Sequence, residues 1–408
     1  MDRRCFLRTT GATTLGTLSQ FHGDDILRAA PPDIAKVMDK AKIKITAVEP
    51  MLIRGRSTWL FVRIKTDQGV EGIGEAFAVQ DWSKSIQANI NQLAPQLIGT
   101  NPLAIGAFLG RHFAAGSGHL WTSSISAVEI ALWDILGQVA GLPIYTLLGG
   151  RVRDRVRLYI SFGSSRPAPE RVVAAKDAGF EMLKVDPFYL PFPPVGKPFE
   201  GMPDEEQMQR SFDFLQGYRD ALGEDYPIGV DAHWKFSLEG AKQMARGLEP
   251  FALAFLEEPT TMPNDPEHLR QVAQVTEIPL CTGEHFCNRA EAKRALGSNA
   301  LTYINPEITW NGGILETVKT AALAESYNVR LTPHCYVGPI SALATAHVSS
   351  VVPNFLAQEY SGAALEQSWY AELLDPPLPV NHGHIELTDR PGLGVKMNEK
   401  LLKERRIA

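Results

Sequence analysis

The chain has 408 residues, of which 44% are hydrophobic and 21% charged, with a formal net charge of −6. That length accommodates a barrel of about 250 residues plus a second domain. The acidic balance offers no basic field for nucleic acid, and no apolar run is long enough to span a bilayer.

The chain opens with Asp2-Arg3-Arg4-Cys5-Phe6-Leu7-Arg8-Thr9-Thr10-Gly11, which resembles a twin-arginine export signal, followed by a weakly apolar stretch from Ala12 to Leu18. Ala29-Ala30-Pro31-Pro32 can mark its end. Residues 1–40 are therefore read as a signal or tail outside the fold. The expected location is the periplasm, or the cytoplasm if the arginine pair is incidental. The cysteines Cys5, Cys281, Cys287 and Cys335 contain no C-x-x-C pair, so neither a zinc site nor a disulfide framework is expected.

Residues 41–150 read as an α+β domain. Ile43–Ile53, Trp59–Thr66 and Val70–Ala76 alternate as strands, with a turn at Asp67-Gln68-Gly69, which predicts a three-stranded meander. Helices are expected near 82–98 and 103–113. A third runs over 124–140, capped by Ser124 or Ser126 and stopped by Gly141 and Pro143. Leu147-Leu148-Gly149-Gly150 closes the domain.

Eight strand-like runs then alternate with helical segments, as a closed (β/α)8 barrel requires. They are Val156–Ser161, Met182–Asp186, Ile228–His233, Leu253–Glu258, Ile278–Gly283, Leu301–Asn305, Arg330–His334 and Asn354–Glu359. The barrel is assigned to residues 151–370. The proline-rich stretch 187–203 is expected to cross its mouth, and residues 371–408 to pack back on the first domain.

Three apolar runs end in acid, at Asp231, Glu257 and Glu284, in steps of 26 and 27 residues. A strand, helix and two loops take about that length in a βαβ unit, so three adjacent strands each place a carboxylate at the C-terminal rim. Such a cluster is self-repulsive without a hard cation, most simply Mg2+. Other strand ends are polar too: Lys184 and Asp186, two apart and on one face, then Asn305 and Glu307, His334, and Glu359. Buried charge is costly unless paired or metal-bound, which makes the ring a site. An aspartate beside Lys184 tends to keep the lysine protonated, favouring an electrostatic role over that of a base.

At this point the chain resembles the enolase superfamily, in its mandelate racemase/muconate lactonizing enzyme branch, among the galactonate dehydratase-type acid-sugar dehydratases. The resemblance covers about residues 43–390. It is carried by Ser126-Ala127-Val128-Glu129-Ile130-Ala131-Leu132-Trp133-Asp134, the run Leu147–Val156, Glu257-Glu258-Pro259, Thr282-Gly283-Glu284 and the run Pro333–Ile340. It implies an α/β fold with a modified TIM barrel under an N-terminal α+β capping domain, a small-molecule sugar-acid substrate and a homo-oligomer. It also implies Asp231, Glu257 and Glu284 as metal ligands, His334 as the base, Glu307 orienting it where relatives usually have Asp, His233 on the third strand, and Glu359 against the substrate carboxylate. Lys184-Val185-Asp186 departs from the Lys-x-Lys of the racemases.

The expected reaction is Mg2+-dependent dehydration. His334 takes the C2 proton, Lys184 adds positive charge to the oxyanion, and His233 protonates the departing C3 hydroxyl. Asp186, Trp82 and Trp121, with His119, are expected to line the substrate. A racemase or epimerase on the same scaffold is the alternative, and it would need a second base.

Overall fold

The computed structural model describes residues 42–55, 58–77, 82–114, 117–188, 201–365, 367 and 369–407. The twin-arginine segment lies outside these residues, as does most of the proline-rich stretch after the second barrel strand.

Strands β1 (Ile45–Arg54), β2 (Thr58–Thr66) and β3 (Glu71–Ala76) form the antiparallel meander expected from their alternation. Helices α1 (Trp82–Leu97), α2 (Ile105–His112) and α3 (His119–Ala140) follow. Helix α3 begins at His119, not at Ser124. The Ser124 and Ser126 hydroxyls donate to the carbonyls of Leu120 and Thr122 at 2.8 and 2.9 Å, four residues back, so neither serves as a cap. Gly141 ends the helix at φ +71°, as its position predicts. The meander lies directly on α3. A Cβ at Gly72 or Gly74 would come within 2.2 Å of the Ala131 carbonyl oxygen or 1.9 Å of that of Ala127.

The short helix α4 (Ile144–Leu147) leads into the barrel. Its strands are β4 (Val156–Ser161), β5 (Leu183–Val185), β6 (Ile228–Asp231), β7 (Phe255–Glu257), β8 (Leu280–Thr282), β9 (Leu301–Ile304), β10 (Arg330–Leu331) and β11 (Gln358–Ser361). Strands β4 to β10 pair in chain order, all parallel, and β11 returns to pair with β4. A parallel bridge between Leu331 and Phe355 closes the ring. Tyr159, Met182, Phe255, Cys281 and Ala357 form a separate buried cluster contributed by or adjoining these strands, a floor of packed side chains and not a pore.

Between the strands run α5 (Pro169–Asp177), α6 (Glu205–Leu222), α7 (Leu238–Leu248), α8 (Pro266–Ala273), α9 (Arg289–Leu296), α10 (Ile314–Glu325) and α11 (Pro339–Val351). Helices α6 to α9 start on caps of their own: Asp204, Ser237, Asp265 and Asn288 each accept from an amide of the first turn. Helices α10 and α11 start on Gly313 and Gly338, which have no side chain to offer. Their amides are met by carboxylates from the capping domain. Glu129 of α3 accepts from Ile314 and Leu315 at 2.7 and 2.9 Å. Glu75 of β3 accepts from Gly338 and from Ser341, the latter at 2.8 Å.

Beyond β11 the chain divides its contacts. Strands Val380–Asn381 and His384–Ile385 form a hairpin on the start of β4. The Leu393 amide donates to Asp134 of α3 at 2.9 Å, and the helix Glu399–Arg405 leads to an Arg406 bridge with Ile53 of β1.

Candidate active site

Every polar strand end picked out above lies at the C-terminal rim of the barrel, and most converge. Asp231, Glu257 and Glu284, on or just past β6, β7 and β8, bring carboxylate oxygens within 4.8 Å of one another. All three are buried. An all-carboxylate donor set of this kind suits a hard divalent cation.

The Lys184 ammonium, 2% exposed, enters this cluster from β5. It lies 2.9 and 3.0 Å from the two Glu257 oxygens, 3.2 Å from Asp231 and 3.3 Å from Glu359. Burial lowers the pKa of this ammonium, but Glu257, Glu359 and Asp231 outweigh that and hold it well above the ordinary lysine value. Burial also opposes charge on Asp231, yet His233 and Lys184 keep that carboxyl below its usual range. Glu257 is pushed up, by burial first and then by Asp231. A single ammonium cannot stabilise all of its acids equally.

Asp186 does not pair with Lys184, as the spacing suggests. Its carboxylate accepts from Lys235 and approaches His233 Nδ1 at 2.9 Å, while its second oxygen takes the Phe188 amide at 3.0 Å. The longer Lys184 side chain is drawn in among the rim acids, and Lys235, two residues beyond His233, takes its place beside Asp186. Asp186 thereby anchors the His233 ring, whose Nε2 is 3.3 Å from Asp231.

The backbone at His233 is unusual. His233 and Trp234 are consecutive non-glycine residues at φ +45°, and Glu258 follows at φ +43°. Each such residue costs about 1–3 kcal/mol. The turn is held by His233 N–H on Asp231 at 2.9 Å and Trp234 N–H on the Glu258 carbonyl at 2.9 Å. The Glu258 side chain accepts from Thr282 and Gly283 and pairs with His285 at 3.0 Å, so it is spent on the neighbouring loop.

At the other end of the acid row stands His334. Its Nδ1 meets Glu307 at 2.8 Å, so the longer acid does reach the ring. Its Nε2 lies 3.4 Å from Glu284 and 3.7 Å from Glu359. Burial lowers the pKa of this imidazole, but Glu359, Glu284 and Glu307 outweigh that and hold it up at about 10. Any cation shared by Glu284 would compete with the imidazolium for that carboxylate and bring the ring back toward neutrality.

Trp82 lies at the edge of an aromatic wall, its ring 5.9 Å from that of Trp310. His119 also joins this wall, 4.4 Å from Trp310, with its Nε2–H on the His285 carbonyl at 2.9 Å. Trp121 is spent inside the capping domain, its indole N–H on the His112 carbonyl at 2.8 Å.

Four participants carry no role in the sequence reading. Lys235 anchors Asp186. Asn305 donates to Glu257 at 2.7 Å. Thr309 and Ser341 donate to Glu307 at 2.6 and 3.3 Å. Asn305 stands at a polar strand end beside Glu307, which is the signal by which it could be found.

A closed parallel barrel, a capping α+β domain and a carboxylate on each of three adjacent strands at the rim define an enolase-type enzyme. Residues 36–149 match the model of the mandelate racemase/muconate lactonizing enzyme N-terminal domain, and residues 168–401 that of the enolase C-terminal domain-like family. The chain belongs to the mandelate racemase/muconate lactonizing enzyme family. It is 32% identical over 375 residues to D-galactonate dehydratase of Pectobacterium atrosepticum, covering 89% of this chain and 94% of that one. The D-galactonate dehydratase of Ralstonia nicotianae is 35% identical over 360 residues, covering 85% and 91%. A mandelate racemase/muconate lactonizing enzyme-like protein from Rubrobacter xylanophilus superposes with a TM-score of 0.80 at 27% identity, over 90% of this chain and 98% of that one.

Proposed function

We propose that the protein is a Mg2+-dependent dehydratase of a sugar acid, an aldonate such as galactonate or a relative, which yields a 2-keto-3-deoxy acid. The observation that carries this reading is the placement of two carboxylate-anchored imidazoles at opposite ends of the acid row, His334 on Glu307 and His233 on Asp186. Dehydration needs one group to take the C2 proton and another to protonate the departing C3 hydroxyl. The names of the relatives support the substrate class.

Asp231, Glu257 and Glu284 would hold the Mg2+, whose chemistry when bound is Lewis-acid stabilisation of the charge that builds on the substrate carboxylate. His334 has its Nδ1 committed to Glu307, so it accepts the C2 proton at Nε2, and Glu307 stabilises the imidazolium that results. His233 gives a proton to the C3 oxygen as the C3–O bond breaks. The electron pair from C2–H becomes the C2–C3 double bond, water leaves, and the enol tautomerises to the ketone. Lys184, ringed by three acids, is an electrostatic group. Glu359 would meet the substrate carboxylate beside the Lys184 ammonium, which lies 3.3 Å from it.

Epimerisation would need a second base, and a charged Lys184 has no lone pair to offer. Incubating the protein and Mg2+ with C5 and C6 sugar acids, with 2-keto acid as the readout, tests the assignment. The keto acid should vanish with EDTA and in His334→Asn. Deuterium at C2 without keto acid would replace dehydration by epimerisation. We further propose a homo-oligomer exported by its twin-arginine segment, to be checked by sedimentation and by cell fractionation.

A further inference from the structure

We propose that Glu75, in strand β3 of the capping domain, is a positioning residue for the His334–Glu307 pair, acting through the first turn of α11 and Ser341. The inference rests on reading His334 as the base.

The connection is short and continuous. Helix α11 begins at Pro339, five residues after His334. Its N-cap, Gly338, has no side chain, and a Cβ there would lie 2.3 Å from a Glu75 oxygen. One Glu75 oxygen takes the Gly338 amide and the other takes the Ser341 amide. The Ser341 hydroxyl then donates to Glu307 Oε1. That same oxygen takes the Thr309 amide at 3.0 Å and the Thr309 hydroxyl. With Oε1 occupied by these donors, Oε2 is left to face His334 Nδ1 at 2.8 Å.

Two residues beyond Glu75, the Phe77 ring stacks on Trp310 at 4.2 Å and lies 6.0 Å from the His334 ring. The end of β3 thus touches the base region twice, once through hydrogen bonds and once through an aromatic contact. Glu75 is fully buried and both its oxygens are spent on α11, so it takes no part in proton transfer. Its loss would orphan two buried amides, loosen the first turn of α11 and withdraw one of the donors that set the Glu307 rotamer.

The test uses Glu75→Gln, which keeps the shape but turns an N–H donor toward a backbone N–H. The first readout needs no substrate: the downfield Nδ1–H proton of His334 in 15N-histidine-labelled full-length protein, assigned by its loss in His334→Asn. That signal should move or broaden, while the Nδ1–H signal of His233 stays in place. On a substrate, kcat should fall roughly 10- to 100-fold, as small misplacements of a reacting group do, with KM and Mn2+ affinity within about twofold. Ser341→Ala leaves both Glu75 contacts to the backbone intact and breaks only the link to Glu307, so it serves if Glu75→Gln fails to fold; it should move the same signal. An unmoved His334 signal in a folded variant overturns the proposal. A moved signal in a protein that dehydrates no sugar acid upholds the positioning role and rejects the dehydratase reading instead.

Discussion

Replacing Lys184 by Met removes the ammonium from the rim acids at nearly constant volume. Asp231, Glu257 and Glu359 each lie within 3.3 Å of that ammonium. One such contact at 3 Å corresponds to about 5 kcal/mol at an effective dielectric of 20, but the contacts do not add. The three acids repel one another, and Glu257, already pushed up by burial, takes a proton when the lysine goes. Removing one partner of a buried ion cluster costs about 3–5 kcal/mol, and that is the expected loss for Lys184→Met in EDTA. The assay is the urea midpoint of the first cooperative transition, measured with EDTA and again with Mg2+. A cation at a hundred times its Kd adds about 2.7 kcal/mol if it binds only the native state. The added stability should be larger in the variant, where no fixed ammonium competes for the same oxygens. Equal midpoints for Lys184→Met and the parent in EDTA would refute the claim that this lysine balances the row.

The two histidines should separate by step. His334→Asn is expected to abolish exchange of the C2 proton with solvent, whereas His233→Asn keeps that exchange and loses keto acid, each by about 10²- to 10⁴-fold; deuterium incorporation and keto acid assays on the same samples read both. His347, buried with its Nδ1 accepting the Tyr145 amide, is held by burial at about 4, below the ordinary 6.5. Its unfolded form binds the proton first, so about 3 kcal/mol of stability, present above pH 6.5, is lost as pH falls through 4. The gap in unfolding free energy between the parent and His347→Gln should shrink over that window. Asp134, pushed by burial up to about 7, has the opposite sign. Its contribution is complete below about pH 4 and is lost as pH rises toward 7, so Asp134→Asn should flatten the fall in stability between about pH 4 and 7. Gly313→Ala would set a Cβ 2.1 Å from Glu129 at φ +92° and should lower the unfolding free energy, read from urea titration, by about 1–3 kcal/mol for the backbone alone.

The row of acids was legible because each closes a buried apolar run at a regular interval, and carboxylates gathered in this way suit a cation. The partner of Asp186 was not. Choosing between Lys184 and Lys235 depends on a left-handed turn through His233 and Trp234, which strand alternation does not encode for residues other than glycine. The start of α3 was misplaced because a serine inside a helix and a serine capping one look alike in one dimension; only the i−4 carbonyl contact tells them apart. An indole such as that of Trp121 suits a substrate wall by residue type alone, whereas its N–H is committed to the His112 carbonyl within its own domain. The capping of α10 and α11 was invisible because the partners lie 185 and 263 residues apart and the receiving residues are bare glycines.

Those glycines constrain how such a chain can diversify. A barrel whose α11 started on any residue with a side chain would reject this capping domain by a collision at Glu75, and a capping domain with a shorter residue at position 75 would leave two amides dry. Position 129 makes the same demand of position 313. Recombination between relatives can therefore exchange domains only when both parents carry both glutamate–glycine pairs. The two halves of the seam must therefore change in step at these positions.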